Sequence, residues 1–168
     1  PSIIGLTSQK NLEFVKNLNC YDEVITYDCL SDVNFNLKSV MVDMAGSRKI
    51  LGTLHGSLAD KMLKCLTVGM THWDNEVTAE DALGQAMLRE RTEFFFAPAH
   101  IQKRVIDWGY EGYNQKTTDF MKARSNQSID WMQVKKINGL KNFIATYEKF
   151  VSGDINPNEG IIVELENE

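Results

Sequence analysis

At 168 residues the chain is the size of one domain, with room for a small appendage, and long enough to bury a real core. Apolar residues make up 43% and charged residues 24%, the ordinary balance of a globular protein. A net charge of −5 without any lysine or arginine run speaks against a nucleic-acid surface. No apolar run reaches the ~18 residues of a membrane-spanning helix.

The elements follow in chain order. Ser2 to Leu6 is a short apolar run, as in a strand covered on both faces. Ser8 or Asn11 is placed to cap the next helix, whose apolar stripe is Leu12, Phe14, Val15 and Leu18. Glu23 to Tyr27 is the second strand, and Cys29 to Lys38 is polar and irregular. Ser39 to Asp43 is the third strand, and Ala45-Gly46 ends it. Ser47 to Leu63 carries Ile50, Leu51, Leu54, Leu58 and Met62 at helical core spacing. Lys64 to Gly69 is the fourth strand, followed by the loop MTHWDN.

The second half has a different character. Thr78 to Arg91 reads as a helix, and Thr92 to Phe96 as a fifth strand closed by Ala97-Pro98. Ile101 to Trp108 and Tyr113 to Arg124 read as two helices around the WGYEGY turn. Asn138-Gly139 breaks the chain before a helix over Leu140 to Val151, and Ile161 to Leu165 is a closing strand.

Short apolar strands alternating with amphipathic helices predict an α/β fold with a mainly parallel, Rossmann-type sheet and flanking helices. The pattern enters that fold one strand late: the first strand and its glycine-rich phosphate turn do not precede Ser2. The chain is therefore expected to be the C-terminal part of a longer protein. Residues 1–97 are expected to form the nucleotide-binding core. Residues 98–168 are expected to form a helical segment and closing strand packed on the same domain.

In such a sheet, ligands bind beyond the carboxyl ends of the strands. Those ends supply Thr7 and Ser8, then Tyr27, then Asp43, Ala45 and Gly46, then Gly69 and Thr71. An NAD site usually places an acid at the end of the strand before the first of these turns, to accept from the ribose hydroxyl. Here the residues are Thr7-Ser8-Gln9-Lys10. Two hydroxyls and a lysine suit a 2′-phosphate instead, so NADP(H) is the expected cofactor. The competing reading makes Ser8 a helix cap and Lys10 a solvated surface charge.

His72 is the candidate proton donor, with Asp74 to orient it. The alternative is that His72 packs and Trp73 fills an interface. His55, mid-helix, and His100, at a helix start, read as structural. Cys20, Cys29 and Cys65 show no metal-ligand spacing with one another or with the histidines, so no metal site is expected. Free thiols suit a reducing cytoplasm.

The segments GLTSQKN, EVITYD, VMVDMAGS and LTVGMTHWD resemble the cofactor domain of the medium-chain dehydrogenase/reductase superfamily, on its zinc-free quinone-oxidoreductase side. With FFFAP, WGYEGY and GDINPNEGIIVEL added, nearly the whole chain resembles a domain-of-unknown-function family within that superfamily. The resemblance implies that Lys10, Ser8 and Tyr27 hold the NADPH 2′-phosphate. It implies that Asp43 to Gly46 and Gly69 to Thr71 line the adenosine and nicotinamide sides.

The activity expected is NADPH-dependent hydride transfer to a carbonyl, enone or quinone-like small molecule. The alternative is a non-catalytic nucleotide-binding or interaction module. The resemblance also implies a homodimer paired through the apolar edge strand Thr92 to Phe96.

Overall fold

The computed structural model describes residues 1–44, 47–69 and 89–165. The chain divides into two compact units, one of Pro1–Asp28 with Tyr110–Glu168 and one of Cys29–Gly109.

In the first unit, strand β1 (Ile4–Thr7) pairs in parallel with β2 (Glu23–Thr26), in a register that sets Thr7 opposite Thr26. A 3-10 turn (Gln9–Asn11) and the short helix α1 (Leu12–Asn17) connect them. Neither Ser8 nor Asn11 makes the side-chain cap expected of it. The two helical pieces run together, and the Asn11 backbone (φ −101, ψ 1) is not in the extended conformation that a capping side chain needs.

The same unit holds a second strand–helix–strand: β6 (Gln133–Asn138), α4 (Leu140–Val151) and β7 (Glu159–Glu164), with β6 and β7 parallel. Strand β6 was not legible in the sequence. Its burial is slight and its pattern, Gln-Val-Lys-Lys-Ile-Asn, is too polar to alternate. Lys135–Glu159 and Lys136–Glu164 ion pairs, each 2.7 Å, cross the β6–β7 ladder. The Phe14 ring of α1 meets the Trp131 ring edge-on, with centroids 5.6 Å apart.

The second unit is a three-stranded parallel sheet, β3 (Ser39–Asp43), β4 (Met62–Thr67) and β5 (Thr92–Phe94), in the order β3-β4-β5. Helix α2 (Arg48–Leu58) links β3 to β4 and buries Leu51, Leu54, His55 and Leu58. Leu58, Met62 and Cys65 form the core, with Phe35 and Met41 packed against it. The opposite face of β3 carries Val40 and Val42, both exposed.

Helix α2 stops at Leu58, five positions before the end its periodicity predicts. Ala59 adopts a positive φ (43) and a 3-10 turn (Ala59–Lys61) leads straight into β4. Met62 is therefore a core residue of a strand rather than of the helix. Arg91 holds this corner: its Nη1 donates to the carbonyls of Ala59 (3.3 Å), Asp60 (3.0 Å) and Met62 (2.6 Å).

Strand β5 ends at Phe94, two residues short of the predicted Phe96. The carbonyl of Phe96 is taken by the first turn of the next helix, accepting from the amides of Ala99 (3.1 Å) and His100 (3.3 Å). That element, α3 (Ala97–Ile129), is two helices joined across a kink, as expected around WGYEGY. The break between them shrinks to Gly109, at φ 70 and ψ 165, where the two units divide.

Candidate functional site

The residues expected at strand ends fall into two sets. The first set, Thr7, Ser8, Lys10 and Tyr27, belongs to the first unit. The β1–β2 register ends on the pair Thr7–Thr26, so Ser8 and Tyr27 both leave the sheet at the same level. Thr7 and Thr26 are buried, whereas Ser8 and Tyr27 are half-buried and Lys10 is exposed. Ser8 has extended backbone (φ −76, ψ 157) and its hydroxyl is not spent on a cap. The Lys10 ammonium donates to the carbonyl of Gly153, 3.1 Å away.

The second set belongs to the second unit. Asp43 is opposite Thr67 in the β3–β4 ladder, and the Val68 amide donates to the Asp43 carbonyl (2.8 Å) one step beyond it. Gly69 then runs so close to Met44 that a Cβ built on it would lie 2.7 Å from the Met44 carbonyl oxygen. The sheet thus brings Asp43 and Gly69 to one strand-end edge. Ala45, Gly46, Thr71 and His72, with Trp73 and Asp74, lie outside the described residues.

The Asp43 carboxylate acts on two buried neighbours. Burial favours the neutral form of His55 and pulls its pKa below the usual 6.5, while Asp43 opposes the shift. Burial, then Asp43, pushes the Cys65 thiol above the usual 9.0, against a hydrogen bond with the Thr92 side chain. Cys65 is thus held as a protonated core thiol, the inert kind. His100 stacks on Phe95, with ring centroids 4.4 Å apart. Among the described residues, no group of three or more histidine, cysteine or acidic side chains is placed to hold a metal ion. Nor is any described helix long and apolar enough to cross a membrane.

Sequence reasoning missed Gly153. Its partner is 143 positions away, and nothing local in Ser-Gly-Asp announces a carbonyl that will hold a lysine.

The family model described as "Protein of unknown function (DUF2855)" matches residues 1–156. The chain belongs to the DUF2855 family. No curated protein matches it. A match among solved structures is the crystal structure of CurA in complex with NADPH from Vibrio vulnificus. That match covers 98% of this chain at 15% identity, with a TM-score of 0.60. The DUF2855 chain spans 50% of the length of that CurA chain. At this identity the likeness is one of fold: parallel strands with flanking helices, as expected from the alternation of elements.

Proposed function

We propose that this DUF2855 chain is the nucleotide-binding part of an NADPH-dependent oxidoreductase related to the zinc-free medium-chain dehydrogenases and reductases. The observation that carries the proposal is the end of β1, where Ser8 and Lys10 stand in place of the acid an NAD site uses. The fold supports it, because CurA, which shares it, was solved with NADPH.

In this reading Lys10, Ser8 and Tyr27 take the 2′-phosphate, with Thr7 beside them in the cofactor-binding set at the end of β1. The ammonium supplies charge, and the two hydroxyls supply donors to the phosphate oxygens. Asp43, Ala45, Gly46, Gly69 and Thr71 line the adenosine and nicotinamide sides, and His72 is the candidate proton donor. The cofactor, when bound, supplies the hydride. The chain's own residues bind and orient it. The substrate class proposed is a carbonyl, enone or quinone-like small molecule.

A second copy of the chain is the proposed partner. Strand β5 pairs with β4 on one side only among the described residues, and Phe94 in it and Phe96 just after it are exposed.

Titration of the full protein with NADPH and with NADH, by calorimetry, tests the reading. NADPH-selective binding that Lys10→Ala weakens is the expected result. Binding of neither dinucleotide would favour a non-catalytic module.

A further inference from the structure

We infer that the C-terminal turn of α4 is a working part of the 2′-phosphate site, and that Gly153 is its positioning residue for Lys10. The inference rests on the reading of Lys10 given above and extends it to a segment no strand-end argument reaches.

The turn is rigidly built. The Gly153 amide donates to the Phe150 carbonyl (3.2 Å) and the Asp154 amide to the Lys149 carbonyl (2.8 Å). These are the paired bonds of a Schellman helix end, with Gly153 at the left-handed position. Its φ of 74 is one that side-chain-bearing residues rarely adopt. The Ser152 hydroxyl adds a bond to the Asp154 carboxylate (2.9 Å). With both amides committed, the Gly153 carbonyl has a fixed direction, and it accepts from the Lys10 Nζ at 3.1 Å. A second contact, Phe14 on Trp131, ties α1 to the chain two residues before β6. The turn after β1 and the strand–helix–strand that carries Gly153 are therefore held together at more than one point.

The chemistry follows from the lysine. An ammonium has three donors on a flexible stem, and ordering that stem is an entropic cost of binding. Gly153 takes one donor in advance, and the partial negative charge at the end of α4 favours the cation there. Two donors remain for an anion. The anchor raises affinity for the phosphorylated dinucleotide by reducing what must be ordered on binding. It gives nothing to a dinucleotide without the phosphate.

The experiment is a set of NADPH and NADH titrations on the full protein and three variants. Lys10→Ala is expected to weaken NADPH binding roughly ten- to a hundredfold, the loss of a charge-assisted contact. Gly153→Ala is expected to weaken it roughly three- to tenfold, with NADH unchanged. Gly153→Asn should restore it, because asparagine tolerates the left-handed backbone. In the unmodified protein, NADPH and not NADH should slow hydrogen exchange of the Gly153 and Asp154 amides, a readout that needs no variant to fold.

If Lys10→Ala left NADPH affinity intact, the 2′-phosphate reading itself would fail, and this inference with it. If Lys10→Ala weakened NADPH and Gly153→Ala did not, only the role of Gly153 would be wrong. Equal losses for both dinucleotides in Gly153→Ala, or equal exchange protection by both, would reduce the turn to a structural support.

Discussion

Gly69 and Met44 meet backbone to backbone where β3 and β4 end, with space for hydrogen and not for a methyl group. Gly69→Ala would place a Cβ 2.7 Å from the Met44 carbonyl oxygen, and backbone yields poorly to such a contact. The strand ends must part. We expect a loss of about 1–3 kcal/mol in urea denaturation. A variant as stable as the parent would show that the two ends are not held in contact.

His55 gives the protein an acid-sensitive core. Its folded pKa lies below 6.5 because burial resists the charged form, with Asp43 opposing. As the pH falls through 6.5, the unfolded chain takes up a proton that the folded chain resists, so stability is full above that value and declines below it. Denaturation midpoints measured from neutral pH down to about 5 should show the decline, and His55→Gln should flatten it. The carboxylates of Glu93 and Glu159, both held below their ordinary range by lysine partners, act only in a more acidic window.

The three cysteines should separate by reactivity. Cys20 and Cys29 are exposed, whereas Cys65 is buried with a raised thiol pKa. A thiol reagent at neutral pH should label Cys20 and Cys29 in the native protein and reach Cys65 only on unfolding. Rapid labelling of Cys65 in the native state would mean that the β4 core opens readily.

The edge of β5 predicts association. Phe94 and Phe96 are exposed by 66% and 56%, and Lys64 pairs with Glu93 beside them. Light scattering should find a dimer, and Phe94→Lys should shift it toward monomer without lowering the thermal midpoint of the monomer. A parent protein that stays monomeric at high concentration would rule the pairing out.

The alternation of apolar strands and amphipathic helices up to Gly69 was legible from the sequence, because its strands and helices have short-range causes. Apolar runs such as Ile4–Thr7 and Ser39–Asp43 became strands close to where periodicity placed them. Helix α4 fell on its predicted residues, because Gly139 and Gly153 bracket one apolar stripe. Boundaries failed where backbone conformation decided them. Ala59 took a positive φ and gave Met62 to a strand, whereas the break expected at WGYEGY is present and narrowed to Gly109.

The chemistry at the end of β1 was also written locally: Ser8 and Lys10 are there, and an acid is not. What holds Lys10 was not. The carbonyl it donates to belongs to a turn 143 residues away. A backbone acceptor leaves no mark on residue type, so only the tertiary structure could bring the two together.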